Sequence, residues 1–217
     1  MKRYRFRSKL STAIARQRGF LSSKQAFVLL ALIFLAPTFV AWVMHNVGDG
    51  WQPQGSTNRG LLVHPARPLE LPQELVYGDR PVTEFLQGKW TLVYIGAADC
   101  GDACRQNLYK MRQARIAQNE NMKRVQRLFI TGEGEVTQEL AGFLASEHPR
   151  MDIVTLVPKQ FERLTGFFSI DETPVREAGR VYIVDPLGNL MMYYPPEADP
   201  RGLLKDLKKL LKSSRIG

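Results

Sequence analysis

Cys100 and Cys104 are the only cysteines among the 217 residues, and they are the first candidates for chemistry. Their C-x-x-x-C spacing puts both side chains on the same side of a helix, if a helix begins near Cys100. The free backbone N–H groups at a helix start favour a thiolate there. Two such sulfurs can form a disulfide, exchange with another disulfide or hold a soft ion such as Cu(I). A purely structural disulfide is the alternative, although a bridge over so short a loop adds little stability.

Apolar runs predict the elements that position this pair. Residues 89–95 read as a strand buried on both faces, and a helix is predicted for 101–117. The other predicted strands are 125–131, 153–157, 180–184 and 189–194, and the other predicted helices are 136–148, 160–165 and one capped by Asp199. This order predicts an α/β fold of three layers with a mixed central sheet. It is similar to a thioredoxin-like fold, which carries its reactive thiols between the first central strand and the first helix.

The formal net charge of +9 is concentrated at the N-terminus. Met1–Lys24 holds eight Lys or Arg and no carboxylate, whereas the remaining 22 basic residues face 21 acidic ones, a net charge of +1. A basic leader on a near-neutral body is typical of membrane topology and not of a nucleic-acid-binding protein.

The segment after the leader predicts a transmembrane helix. Ala26–Met44 is apolar and uncharged over 19 residues, enough to span a bilayer core. A cleaved signal peptide is disfavoured, because the run is long and no small-residue cleavage site follows it. The positive-inside rule then predicts a single-pass protein of the bacterial inner membrane, with a cytoplasmic N-terminus and a periplasmic domain. The predicted parts are a leader at 1–25, a span at 26–45, a linker at 46–72 and a domain at 73–217.

From about Leu69 to Leu211 the sequence resembles the Sco/SenC family. The matching motifs are Gly88-Lys89-Trp90 with its strand, the C-x-x-x-C pair, the hairpin segment 181–188 and the helix that Asp199 opens. The family consists of membrane-anchored, thioredoxin-fold proteins that deliver copper to the binuclear copper centre of cytochrome c oxidase or keep its cysteines reduced. The resemblance implies a cytochrome c oxidase subunit or copper chaperones as partners, with no nucleic acid.

The sequence differs from the family at the residues that form the family's copper site. The family site is two cysteines plus a histidine about nine residues before the proline of the hairpin turn, and counting back from Pro186 reaches Glu177. The prolines that usually follow the two cysteines are replaced by Gly101 and Arg105. The resemblance therefore implies a copper site made of Cys100 and Cys104 alone, with copper bound weakly or transiently.

No other residue clearly completes a metal site. Of the three histidines, His45 ends the span, His64 lies in the predicted linker, and His148 is predicted to be a surface loop residue at the opposite end of the sheet. Carboxylates are hard ligands that suit Cu(I) poorly, and the methionines are soft but two of them are expected in the core. The residues concerned are Asp99, Asp102, Glu177, Met111, Met191 and Met192.

The leading functional prediction is an assembly factor for a respiratory haem-copper oxidase. It would act through Cys100 and Cys104 as a thiol-disulfide reductant, and so as an oxidoreductase, or as a transient copper carrier. Cys100 is the favoured attacking thiol. Arg105 beside the pair is expected either to stabilise thiolate charge or to face solvent. A non-catalytic scaffold that binds oxidase subunits or copper chaperones is the alternative. A peroxidase is disfavoured, since residues 96–99 lack the threonine such enzymes need before the reactive cysteine.

Overall fold

The computed structural model describes residues 22–47, 57–97, 99–132 and 136–216, without the side chains of His45, Val47 and Tyr77. Most of the predicted leader and residues 48–56 of the predicted linker lie outside these ranges. The chain divides into two units, residues 1–55 and 56–217.

The first unit contains helix α1, Ser23–Val47, with Pro37 inside it. Its segment Ser23–Met44 has 22 residues and is long and apolar enough to cross a membrane. The helix therefore coincides with the segment in which the sequence predicted a membrane span.

The second unit is built around one mixed sheet. Its strands are β1 Leu61–Pro68, β2 Val76–Tyr77, β3 Arg80–Pro81, β4 Trp90–Ile95, β5 Val125–Thr131, β6 Asp152–Thr155, β7 Val181–Val184 and β8 Asn189–Tyr194. Its helices are α2 Val82–Phe85, α3 Asp102–Ile116, α4 Gln138–Glu147, α5 Pro158–Phe168 and α6 Pro200–Ser213, with a 3-10 turn at Asn119–Arg124. The large sheet has the order β1-β8-β7-β4-β5-β6, and β2 pairs with β3 separately. The mixed sheet with helices predicted from the sequence is confirmed.

The parallel strands of this sheet set the position of the cysteines. Strands β4, β5 and β6 run parallel, while β7, β8 and β1 extend the sheet in antiparallel fashion. Ile95, the last residue of β4, pairs with Ile130 near the end of β5. The loop that carries Cys100 therefore leaves the sheet at the carboxyl edge of its parallel strands, where open α/β sheets place their sites.

Two apolar cores cover the two faces of the sheet. Leu92 and Tyr94 of β4 face the core that α3, α4 and α6 cover, and Val93 and Ile95 face the core that includes α2 and α5. All six residues of β4 are buried, as the continuous apolar run predicted. The predicted cap of α6 is confirmed, since the Asp199 side chain accepts a hydrogen bond from the Arg201 amide at 2.9 Å.

The predicted linker at 46–72 differs from the structure in its second half. Leu61–Pro68 is the edge strand β1, paired antiparallel with β8, and it includes His64. The carboxylate of the buried Asp206 on α6 accepts hydrogen bonds from the backbone amides of Arg59 and Gly60, at 2.6 and 2.9 Å. Most side chains of β1 are exposed, so its sequence shows no hydrophobic alternation, and only pairing with the rest of the sheet makes it a strand.

Two boundaries near the far edge of the sheet also differ from prediction. Strand β6 ends at Thr155, two residues before the predicted end, and α5 extends over Pro158–Phe168 around the predicted 160–165. Pro158 lies at the start of α5, where its fixed backbone angle and missing N–H suit a first helical turn.

Candidate redox and metal site

The two cysteines that the sequence singled out are joined in a disulfide, with 5.1 Å between their Cα atoms. Both are buried, with 1 % of Cys100 and 6 % of Cys104 exposed. Helix α3 begins at Asp102 with Gly101 as its cap, so Cys104 lies in the first turn and Cys100 just before it. The helix start predicted near Gly101 thus brings the two sulfurs together. Their roles in exchange or metal binding stay predictions.

The backbone at Cys100 is in an unusual conformation. Its φ of 39° lies in the left-handed region, which costs a non-glycine residue about 1 kcal/mol. Its amide donates to the Ala97 carbonyl at 3.3 Å, closing a turn at the end of β4. The turn directs Cys100 back over the helix start, where it meets Cys104.

Arg105 connects the cystine turn to α4. Its Nε donates to the Cys100 carbonyl at 3.2 Å, and its Nη2 donates to Glu139 at 2.6 Å. The guanidinium also lies over the Phe143 ring, 4.8 Å from the centroid. The sequence left Arg105 either as a stabiliser of thiolate charge or as a solvent-facing side chain, and the structure places it as a clamp on the backbone of Cys100.

Asn107, two residues after Arg105 on α3, holds the loop that contains Glu177. Its Nδ2 donates to the Gly179 carbonyl at 3.0 Å. Asn107 also hydrogen-bonds the Tyr94 hydroxyl, which partly offsets the rise in the pKa of Tyr94 that burial causes. Val175 and Ala178 are buried on either side of Glu177, whereas Glu177 is exposed.

The residues present fit a two-sulfur site. No group of three His, Cys, Asp or Glu side chains suited to a metal occurs within the described ranges of the chain. Asp99 and Asp102, beside the cysteines, are exposed. Met111 and Met192 are fully buried, which confirms that these soft side chains belong to the core. Two thiolates suit Cu(I), a soft ion that accepts low coordination numbers, better than Cu(II).

The prediction for His148 was wrong in one respect. It precedes β6 at the far edge of the parallel strands, as predicted, but it is buried, with 2 % of its surface exposed. Its ring packs edge-on against Phe143, 4.9 Å between centroids, and its Nδ1 has no hydrogen-bond partner. Burial, with the charges of Arg127 and Arg112, lowers the pKa of His148 to about 4. The sequence could not show this, because Arg127 comes from β5 and Arg112 from α3.

Arg127 is a buried cation that the sequence analysis missed. Only 2 % of it is exposed; its Nη2 donates to the Pro149 carbonyl at 2.8 Å, and its Nε and Nη1 have no partner. Burial and the nearby Arg115 and Arg112 lower its pKa to about 10. The sequence did contain a signal of this buried cation, because Arg127 is a charged residue inside the apolar run 125–131.

The chain is similar to one protein family model and to two known proteins. Residues 90–214 match the family model described as "Transmembrane-like, thioredoxin-like, C-terminal domain". The chain is 24 % identical over 151 residues to "Protein SCO1 homolog 1, mitochondrial" of Arabidopsis thaliana, covering 64 % of this chain and 45 % of that protein. It is 27 % identical over 177 residues to "Putative copper-binding protein" of Stutzerimonas stutzeri, covering 76 % of this chain and 86 % of that protein.

A solved structure gives the same indication for the fold. The solution structure of apo Sco1 from Thermus thermophilus matches with a TM-score of 0.54 at 19 % identity, covering 72 % of this chain and 99 % of that one. The chain spans less than half the length of the Arabidopsis relative. The resemblance that the sequence motifs predicted is confirmed by these relatives.

Proposed function

The chain belongs to the transmembrane-like, thioredoxin-like C-terminal domain family, and we propose that it acts through Cys100 and Cys104 as a membrane-anchored thiol-disulfide reductant in the assembly of a respiratory haem-copper oxidase. The observation that carries the proposal is the buried Cys100–Cys104 disulfide at the start of α3, without a third metal-ligating group beside it in the described residues. The Sco1 name of one relative and the copper-binding name of another support the pathway.

The proposed reaction is an exchange of one disulfide for another. In the reduced protein, the Cys100 thiolate attacks a sulfur of the partner's disulfide, whose S–S bond breaks while the other partner sulfur leaves as a thiolate and takes a proton. Cys104, deprotonated, then attacks the mixed disulfide at Cys100 and releases the second partner thiol. Two electrons pass to the partner, and the Cys100–Cys104 disulfide forms. A dithiol protein of the same compartment would reduce it again by the same exchange in reverse.

The chain itself provides what the first step requires. The N–H groups of the first turn of α3 and the helix dipole stabilise negative charge on sulfur. The clamp from Arg105 holds the Cys100 carbonyl, and hence the turn that carries the attacking sulfur. Because Cys104 is one turn away and its sulfur already meets that of Cys100, the resolving step needs no large movement.

Copper enters the proposal as a cargo. The two thiolates of the reduced protein would hold Cu(I) weakly and pass it on, because the position that corresponds to the family histidine is the exposed Glu177. The same two sulfurs cannot serve both tasks at once, so disulfide formation would release the ion.

The anchor and its orientation complete the proposal. Helix α1 would span the bacterial inner membrane, with the eight basic residues of 1–24 in the cytoplasm and residues 56–217 in the periplasm. The periplasm is kept oxidising, so a reduced Cys100–Cys104 pair there would require continuous supply of electrons.

The test uses the full chain, reduced and purified in detergent. We expect it to reduce hydroxyethyl disulfide and a peptide that contains an intramolecular disulfide. The products are measured by alkylation of free thiols and mass spectrometry. The Cys100→Ser/Cys104→Ser variant should do neither. If the wild type forms its disulfide but exchanges with neither substrate, the redox proposal fails and the scaffold alternative gains support.

A second measurement addresses copper. We expect the reduced chain to lose Cu(I) readily to a competing chelator, and the double Ser variant not to bind it. Glu177→His should raise the affinity for Cu(I) at least about tenfold over the matched Glu177→Gln variant, because imidazole is a suitable third ligand for copper. Equal affinities of these two variants would show that position 177 does not face the sulfurs.

A further inference from the structure

A cleft between α3 and α4 begins beside the cystine and has a volume of about 360 Å³. Arg105 lines its first end and hydrogen-bonds the carbonyl of Cys100. Arg112, two turns further along α3, and the buried His148 line its other end. Neither cysteine lines the cleft, but through Arg105 it adjoins the turn that carries Cys100, the proposed attacking residue.

The charges that line the cleft are unequal. Arg105, Lys110 and Arg112 supply three positive charges, and Glu147 supplies the single carboxylate among the lining residues. Glu139, outside the cleft, pairs with Arg105 at 2.6 Å, so the lining with this partner has a net charge of +1. Arg112 and Glu147 are 3.6 Å apart, and Lys110 donates to the Pro196 carbonyl at 2.8 Å. The residues outside the leader are nearly neutral as a whole, so this excess is local. Such a cleft attracts negative groups, and its walls concentrate the field.

The walls between these charges are apolar. The ring of Phe143 and the half-exposed ring of Tyr109 face the cleft. At the inner end, the Nδ1 of His148 is buried without a hydrogen-bond partner. A buried polar atom in this state costs free energy that an entering hydrogen-bonding group can recover.

We propose that this cleft is the docking groove for the protein on which the dithiol acts, and that it binds a segment with carboxylate side chains near its reactive cysteine. The inference rests on the proposed redox function and specifies its partner. Charge complementarity to Arg112 and Lys110 argues for an acidic segment, and the Tyr109 and Phe143 rings would hold one apolar side chain of it.

The geometry fixes where the carboxylate should be. Arg105 and Arg112 are seven residues apart on α3, which corresponds to about 10 Å along the helix axis. An extended segment covers that distance in about three residues. A carboxylate three or four positions from the cysteine can therefore reach Arg112 while the cysteine meets the redox pair.

Two peptide pairs test the proposal on the full chain in detergent. In the first pair the peptides contain one disulfide and carry either Glu or Lys at the third and fourth positions on each side of it. We expect the reduced protein to reduce the Glu peptide about tenfold faster at low salt, with the advantage shrinking at high salt. The second pair has Ser in place of Cys, and its binding to the disulfide form is measured by fluorescence anisotropy.

Variants separate the cleft from general surface charge. Lys110→Glu and Arg112→Glu should both remove the preference for the Glu peptides, whereas Glu147→Gln should increase it. Lys208→Glu, which changes the same charge on the exposed side of α6, is the matched control and should leave the preference intact. Reduction of the small neutral hydroxyethyl disulfide should be the same in all four variants, which also shows that they are folded.

The outcomes distinguish the two proposals. Equal rates and equal binding for the Glu and Lys peptides, or equal loss of preference in Lys208→Glu, would overturn the docking groove while the redox function stands. Binding of the Glu peptide without any disulfide exchange would leave the groove in place and overturn the redox function.

Discussion

Buried groups lie next to each end of the cleft between α3 and α4, each with an arginine beside them, but the two ends differ in how those groups are satisfied. At the first end, Cys100 and Cys104 are bonded to each other and Arg105 has three partners. At the other end, His148 and Arg127 are buried with nitrogen atoms that have no partner. The proposed exchange site has its groups paired, whereas the His148 end keeps unsatisfied polar groups that can respond to a ligand or to pH.

The largest effect is expected at the cystine end. Cys104→Ser should accumulate a mixed disulfide between Cys100 and the partner, because no thiol is left to resolve it. Cys100→Ser should lower exchange to the uncatalysed background and trap nothing. Mass spectrometry of the alkylated reaction mixtures measures both. Trapping by Cys100→Ser instead would reverse the roles of the two cysteines.

The next largest effect is a change of stability with pH at the end of the cleft that holds His148. The folded state holds the pKa of His148 at about 4, below its ordinary value of 6.5, so folding favours the neutral ring. The neutral ring's contribution to the free energy of unfolding is complete above pH 6.5. It is lost as the pH falls towards 4, which lowers the free energy of unfolding by up to about 3 kcal/mol. Urea unfolding followed by tryptophan fluorescence should show this loss.

His148→Phe keeps the ring against Phe143 and removes the titration. Its stability relative to wild type should therefore rise between pH 6.5 and 4, while the exposed His64→Gln variant should follow wild type throughout. A constant difference between His148→Phe and wild type across this range would contradict the assignment of the pH effect to His148. Both variants keep the charged groups near the ring, which are Arg112, Arg127 and Glu147.

A smaller effect tests the clamp at the cystine end. Arg105→Lys keeps the charge but loses the Nε donor to Cys100 and the flat stacking on Phe143. We expect about 1 kcal/mol less stability and an exchange rate lowered a few-fold. Arg112→Lys, on the same helix but without contact to the cystine turn, is the control for hydroxyethyl disulfide reduction. If both variants slow that reaction equally, Arg105 has no special role in positioning Cys100.

The smallest effect concerns Arg127. Arg127→Met removes a buried charge with two unpartnered nitrogens, so the change in stability should stay within about 1 kcal/mol despite the buried position. The pKa of His148 should move up from about 4 towards 6.5, since one of the charges that lowers it is gone. An NMR titration of the His148 ring measures the shift. An unchanged pKa would mean that burial and Arg112 set it without Arg127.

The cystine end could be predicted from sequence because its determinants are local. The strand at 90–95, the turn and the first turn of α3 follow each other within about fifteen residues, and the strand and the helix each have their own hydrophobic pattern. The family motif of the hairpin, with its turn at Asp185–Gly188, is local in the same way. These segments were predicted to within a few residues.

The far end and strand β1 could not be predicted in this way. His148 looked like a loop residue because its partners, Phe143 excepted, come from other elements of the fold. Leu61–Pro68 looked like a linker because an edge strand with exposed side chains needs no hydrophobic alternation. Arg105 was noticed beside the cysteines, but its contacts to Glu139 and Phe143 depend on how α4 packs against α3.

The sequence by itself determined the pair of cysteines, the order of strands and helices around them, the apolar segment of α1 and the basic leader before it. These properties depend on residue type and spacing along the chain, which packing cannot alter. The tertiary structure alone decided which side chains share the cleft, that His148 and Arg127 are buried together, and that β1 joins the sheet. Burial and charge coupling act between residues distant in sequence, so they exist only once the elements have packed.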